Sequence, residues 1–319
     1  MVAQKINASD AMLKVMADWG IDHIFGLPGG SFDSTMNALH NQKAIMRYIQ
    51  VRHEEVGALA AAGEAKATGK IAATFGSAGP GAVHLLNGLY DAKYDNVPVL
   101  ALVGQVATGV MNTDYFQEMN ENPMFADVAV YNRTVMTAEQ MPLVVDQAIQ
   151  QAYKHRGVAV VTIPTNLGWE PIEDNFEATA NLFQMGNYPE PRSADIDRTL
   201  QLIKDAKQPI IYFGQGARAA GEELVALSDR LSIPMMSSAL SKGIVADDHP
   251  AYMVSAGRVA TKPGVDLAEA ADLILFVGSN YEFGQYFFKP DAKFIQIDID
   301  PTKLGHRHHV DVGILADAK

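Results

Sequence analysis

Cysteine is absent from all 319 residues, which excludes disulfides and thiolate metal sites and fits a cytoplasmic location. Basic residues are scarce: 25 Lys and Arg stand against 37 Asp and Glu, a formal net charge of −12. That balance argues against nucleic acid and against an anionic membrane as partner. No stretch reaches the roughly 18 apolar residues of a membrane span, and the opening MVAQKINASDAM carries no apolar signal core. Apolar side chains are plentiful, 48% of the sequence, enough for sizeable cores and, at this length, for two domains.

The most informative stretch is Gln50–Pro80, QVRHEEVGALAAAGEAKATGKIAATFGSAGP. The apolar run Ile45–Val51 reads as a strand that gives way at His53-Glu54-Glu55 to a helix, Val56–Thr68. That helix is nearly all Ala, Gly and Leu, so its neighbours can approach closely. Ile71–Phe75 is the next buried strand, and Gly76–Gly81 turns into another helix. A carboxylate at one strand end and a glycine turn at the next share one edge of a parallel sheet, where open α/β sheets bind ligands. A plainer reading also stands: Glu54 and Glu55 favour a helix N-terminus through its dipole.

Earlier in the chain, Ser9 is a candidate cap for a helix with Met12, Val15, Met16 and Trp19 at helical spacing, ended by Gly20. Ile21–Phe25 is a short strand, and Gly26–Ser31 a turn into a helix over 32–40. Val97–Val103 and Val158–Pro164 are aliphatic enough to be buried on both faces; a helix over Glu139–His155 lies between them. From Gln105 to Pro123 the pattern dissolves into a polar loop around Tyr115-Phe116, a length usually reserved for function.

The aperiodic stretch Asn181–Ser193 contains two prolines around Glu190 and supplies a linker, drawn at 183–193. Domains are expected at 1–182 and 194–319. The second opens with a helix near Ala194–Lys207, followed by strand Ile210–Phe213, the turn Gly214-Gln215-Gly216-Ala217-Arg218 and a helix to Leu231. Strands Ile233–Ser237, Leu273–Val277 and Phe294–Ile297 follow, with turns at Gly278–Tyr281 and Asp298. The fold class is therefore α/β, two doubly wound domains with mainly parallel sheets. GQGARAAG lacks the third glycine of a dinucleotide fingerprint, so it either packs strand against helix or receives a phosphate with Arg218 adding charge. Asp298 can accept ribose hydroxyls or form an Asx turn. His306–His309 has no standard metal spacing and reads as a solvated loop.

Phe25–Gly30, Arg52–Glu55 and Gly76–Gly81, in this order, resemble the N-terminal domain of thiamine-diphosphate-dependent enzymes of the acetohydroxyacid synthase and pyruvate oxidase group. Tyr115–Pro123 and Gln296–Pro301 most resemble the flavin-linked, acetyl-phosphate-forming oxidases within it. The resemblance runs over essentially the whole chain. It implies a pyrimidine-binding domain, then a central FAD-binding domain.

It also implies roles. Glu54 hydrogen-bonds the cofactor's aminopyrimidine, with Gly29, Gly30 and Pro80 lining the same cofactor, and Phe116 and Gln117 belong to the active-site loop. Gly214, Gly216 and Arg218 receive the FAD diphosphate and Arg258 lines the flavin. Gly278, Asn280 and Tyr281 cover its middle, Asp298 holds a sugar or adenine-side group, and Asp317 is a further cofactor contact. Pyruvate, phosphate and oxygen are the implied reactants, and a homo-oligomer, a dimer of dimers, the implied assembly. The family's magnesium sits in a C-terminal domain with a Gly-Asp-Gly segment that this sequence lacks. The chain, ending in ILADAK just after a strand, is thus expected to be a portion, truncated in its central domain, without a metal site and inactive alone. Acetohydroxyacid synthase and a non-catalytic flavin-binding module are the other readings.

Overall fold

The computed structural model describes residues 5–184, 188–255 and 260–319. Contacts divide the chain into two compact units, Met1–Met185 and Gly186–Lys319.

The first unit contains β1 (Lys5–Asn7), α1 (Ala8–Asp18), β2 (His23–Gly26), α2 (Asp33–Asn41), β3 (Arg47–Gln50), α3 (Glu54–Thr68), β4 (Ala72–Gly76) and α4 (Pro80–Tyr94). It continues with β5 (Val99–Gln105), α5 (Glu121–Phe125), β6 (Ala129–Thr134), α6 (Met141–His155), β7 (Val158–Pro164) and β8 (Pro171–Glu173). Six strands pair in parallel in the order β3-β2-β4-β5-β7-β6. One face packs on α1, α2 and α6, the other on α3, α4 and Phe125 of α5, so the sheet is doubly wound. Strand order reverses between β2 and β4, and there an open α/β sheet parts its loops into a crevice. β5 and β7 are buried at every position, which is why their sequences are unbroken aliphatic runs.

The small side chains of α3 set its closeness to α4: a Cβ on Gly88 would stand 2.5 Å from the Leu59 amide nitrogen. α3 begins at Glu54, two residues before the expected start, because extended His53 acts as its cap, Nδ1 accepting the Glu55 amide at 3.3 Å. Ser9 does not cap α1. It lies inside the helix, buried, with Oγ donating to Ser34 Oγ at 3.1 Å. Three strands of this unit escaped the sequence reading: β1 and β8, an antiparallel pair of three residues each, and the edge strand β6, whose irregular burial erases any alternation.

The second unit contains α7 (Ser193–Asp205), β9 (Pro209–Phe213), α8 (Gly221–Leu231), β10 (Met235–Ser237), β11 (Tyr252–Ser255), α9 (Lys262–Ala270), β12 (Leu273–Val277), β13 (Lys293–Asp298) and β14 (Val312–Leu315). All six strands are parallel in the order β11-β10-β9-β12-β13-β14, which in chain order is 3-2-1-4-5-6, that of dinucleotide-binding sheets, with its reversal between β9 and β12. α9 hides in the sequence behind Pro263-Gly264. Both fall in its first turn, where proline needs no N–H partner, and Thr261 caps it by accepting the Gly264 amide at 3.2 Å. Val312, Ile314 and Ala316 are buried, with Leu202 and Ile203 of α7 in the same cluster. This face of the last strand is therefore covered from within the chain.

Candidate active site

In the first unit the turns after β2 and β4, on either side of the strand reversal, are knitted together. Ser31 Oγ accepts the Ala78 amide at 2.8 Å and lies 2.8 Å from Ser77 Oγ. Gly29 has to be glycine, since a Cβ would reach 2.4 Å from Ser77 Oγ. Gly30 is exposed, with open space where a side chain would point. Pro80 is exposed at the first position of α4 and follows Gly79, whose φ of +69° a larger residue rarely adopts.

Glu54 enters this crevice from α3. It is 7% exposed, and its Oε1 would lie 3.0 Å from a Cβ on Gly81, so the carboxyl looks onto bare backbone of the glycine turn. Its Oε2 is 3.0 Å from His84 Nδ1 of α4, positioned to accept that N–H. The His84 ring lies over His53, centroids 4.3 Å apart at 27°. The sequence alone does not disclose this imidazole partner of Glu54. The signal was a histidine four residues into a glycine-started helix, which spacing from Glu54 could not connect across 30 residues. His53, Glu54 and His84 offer ligand atoms within 4.8 Å of one another. The two rings are stacked, though, so their in-plane lone pairs do not converge on one point, and His53 Nδ1 is committed to the Glu55 amide. Glu55 points away and accepts from Asn87 Nδ2.

The polar loop between β5 and α5 closes on the same turn. A Cβ on Gly79 would meet the Gln117 carbonyl at 2.8 Å, so Gln117 lies directly against Gly79. Phe116 beside it is 79% exposed, so it is not a core aromatic. Asn112, Asp114 and Gln117 all have positive φ, 66°, 56° and 65°, a strained set for non-glycine residues. Glu118 holds it: its carboxylate accepts the amides of Asn112, Thr113 and Tyr115. These bonds, the Asn112 amide foremost, hold the Glu118 carboxyl below the usual range.

In the second unit the two glycine turns at the strand reversal touch. The Gly216 amide donates to Gly278 O at 2.9 Å, and a Cβ on Gly278, φ +55°, would come 2.5 Å from the Gly216 carbonyl carbon. Gly214 is held the same way, its amide on Val277 O at 2.9 Å. Both amides are committed within the fold, and a 3₁₀ helix, Gln215–Ala220, precedes α8. The glycines thus bring the turns together and leave the edge of the sheet to Arg218, which is exposed, and to Asn280. Tyr281 stacks on buried Tyr212, centroids 5.2 Å apart. Asp298, at the end of β13, forms an Asx turn through Oδ1 and the Asp300 amide at 3.0 Å; burial raises its carboxyl above the usual range. Asp317 follows β14 and accepts the Lys319 amide at 2.9 Å. Arg258 lies outside the described residues. The expected solvated loop of histidines is corrected at His308: its ring stacks on Phe294, 4.9 Å and 3° away, its Nε2 donates to Tyr281 O at 3.2 Å, and burial lowers its pKa.

Known proteins match both units. Residues 6–124 match the thiamine pyrophosphate enzyme N-terminal TPP binding domain, and residues 196–319 the thiamine pyrophosphate enzyme central domain. A pyruvate oxidase of Lactiplantibacillus plantarum is 54% identical over 317 residues, covering 98% of this chain and 53% of its own length. An uncharacterized 42.6 kDa protein of Pseudomonas amyloderamosa is 32% identical, covering 98% of this chain and 78% of its own. An acetolactate synthase of Mycobacterium bovis is 30% identical, covering 99% and 52% respectively. The chain spans about half the length of the pyruvate oxidase and the acetolactate synthase.

Proposed function

Because the chain belongs to the thiamine pyrophosphate enzyme family that includes pyruvate oxidase and acetolactate synthase, we propose that its first unit binds the pyrimidine ring of thiamine diphosphate and its second unit binds FAD. The protein it represents would decarboxylate pyruvate and pass the electrons to FAD and oxygen, giving acetyl phosphate, carbon dioxide and hydrogen peroxide. The observation that carries this reading is Glu54, a carboxyl inside the crevice of a doubly wound sheet with one oxygen on the Gly81 backbone and one on His84.

The donor set suits an aminopyrimidine. Such a ring offers a nitrogen that takes up a proton and an exocyclic amine that gives one up, and a carboxyl with one oxygen facing open backbone can exchange a proton with the nitrogen. Thiamine diphosphate, when bound, supplies the electron sink for decarboxylation. His84 holds the other carboxyl oxygen and so fixes which Glu54 atom faces the ring. Gly29, Gly30 and Pro80 leave space for it, and Gln117 lies across the turn. Exposed Phe116 gives the crevice an apolar cover that excludes water. Magnesium would be held by a further domain of the protein of which this chain is part.

For the flavin, the 3-2-1-4-5-6 strand order and the joined Gly216 and Gly278 turns support a dinucleotide across β9 and β12. Arg218 would meet its phosphates, Gly278, Asn280 and Tyr281 its middle, Asp298 a sugar or adenine-side group and Asp317 its far edge. The absence of any membrane-length apolar helix among the described residues accords with a cytoplasmic enzyme. Val56, Leu59 and Val83 are exposed apolar residues on α3 and α4 beside Glu54, a face suited to a second copy of the protein in a homo-oligomer.

The test is turnover by the protein of which this chain is part, with thiamine diphosphate, magnesium, FAD and phosphate supplied. Pyruvate-dependent peroxide and acetyl phosphate support the oxidase. Acetolactate formed without oxygen uptake favours the synthase instead.

A further inference from the structure

Below the loop that carries Phe116 and Gln117 lies a second carboxyl that the proposed chemistry does not use. Glu121, the first residue of α5, is 2% exposed. Its Oε2 accepts from Gln105 Nε2 at 2.5 Å, and the same nitrogen donates to Met119 O at 2.7 Å. Gln105 is the last residue of β5 and is itself fixed, its Oε1 accepting the Val106 amide at 2.8 Å. One amide side chain therefore ties both ends of the 106–120 loop to a rigid strand. On the other side, Asn132 Nδ2 of β6 donates to Asn122 O at 2.7 Å. The start of α5 thus spans the ends of β5 and β6, with β7 between them in the sheet.

We propose that Glu121 is a positioning residue for Phe116 and Gln117: through Gln105 it anchors the returning end of their loop to the carboxyl edge of the first sheet. Its second oxygen, Oε1, is buried without a hydrogen-bond partner among the described residues. An ionised carboxylate in that setting is costly, a neutral carboxylic acid much less so. Burial, foremost, and the Glu118 carboxylate raise the Glu121 pKa to about 8, against the smaller opposing effect of the Gln105 hydrogen bond. The polar group of β5 that meets Glu121 is Gln105, which does not titrate. On α4, Tyr90 and Lys93 meet Asp127, beyond the other end of α5. Among the described residues, the charged group that acts on Glu121 is Glu118. The Gln105 hydrogen bond itself favours the carboxylate; it is the cost of burying that charge that favours the anchored loop while Glu121 is neutral, an advantage lost as pH rises from the ordinary carboxylate range to about 8.

What the loop does rests on the proposed function; how it is held does not. The test is therefore made on the chain without cofactor, by hydrogen–deuterium exchange of the 106–120 segment from pH 6 to 9, normalised to an unstructured peptide of the same sequence. In the unaltered protein, protection falls about ten-fold or more as pH rises from 6 to 8, where opening the loop releases the Glu121 proton, and levels off above 8. Glu121→Gln keeps a carbonyl for Gln105 but cannot titrate, so its protection stays flat across the range. Glu121→Ala loses protection at every pH. If Glu121→Ala does not fold, the Glu121→Gln profile decides alone: a curve that follows the unaltered protein through pH 8 overturns the proposal, as does full protection in a folded Glu121→Ala.

Discussion

His84 Nδ1 stands 3.0 Å from Glu54 Oε2, across the contact between α3 and α4. The imidazole thereby leaves Oε1 alone to face the glycine turn. Glu54→Gln should keep the fold and lose aminopyrimidine binding, and His84→Ala should weaken that binding by about ten-fold, the loss of one hydrogen bond to a charged group. Glu55→Gln should have far less effect, because Glu55 is turned toward Asn87. Comparable losses in Glu54→Gln and Glu55→Gln, measured by titration calorimetry, would remove the distinction.

Gly81→Ala places a methyl 3.0 Å from Glu54 Oε1. Since the carboxyl can swing aside, ligand binding should suffer while thermal stability changes little. Gly79→Ala is a different case. Its φ is positive, and the atom it meets is the Gln117 backbone carbonyl, so it should cost about 1–3 kcal/mol of stability as an overpacked and strained position. Thermal unfolding of both variants separates the two effects.

If the second unit binds FAD as proposed, Asp298→Ala and Arg218→Ala should each weaken its uptake, because each would remove a charge-assisted contact worth about 1.5–3 kcal/mol. Flavin fluorescence during titration reads this directly. Unchanged affinity in both variants would place the flavin elsewhere.

Two carboxyls bend the stability curve in opposite directions. Glu121 ionises near 8 in the folded chain and in the ordinary carboxylate range when unfolded. The native state therefore holds the extra proton between these values, and stability from Glu121 falls as pH rises from about 4.5 to about 8. Glu118 is shifted down, so its contribution is present above the usual carboxylate range and lost as pH falls through its native pKa. Urea midpoints from pH 5 to 8.5 should decline in the unaltered protein and decline less in Glu121→Gln.

Asp146 is a buried carboxylate joining three segments. It accepts Trp19 Nε1 at 2.7 Å, the Thr179 amide at 2.9 Å and Thr179 Oγ1 at 2.7 Å. Asp146→Ala strands these donors and should cost about 1–3 kcal/mol, seen as a lower denaturation midpoint with no change in ligand binding.

The sheets, their parallel order and the glycine turns were legible because they follow from aliphatic runs ended by glycine. Val158–Pro164 and Leu273–Val277 came out with their observed bounds. β6 and β11 were not, since an edge strand answers to one neighbour and needs no apolar alternation. His84 and Glu121 were invisible for another reason: each matters through a partner 16 or 30 residues away, and only the folded sheet makes those distances short. Ser9 misled because a serine before an apolar helix is a fair cap, yet here its hydroxyl is spent on Ser34.

The central claim, that Glu54 recognises the cofactor's ring, is best tested on the ring alone. Titrating 4-amino-5-hydroxymethyl-2-methylpyrimidine into the chain and following backbone amides by NMR should give saturable shifts at Glu54, Gly81 and His84, abolished by Glu54→Gln. Shifts confined to the second unit, or saturation unchanged in Glu54→Gln, would contradict it.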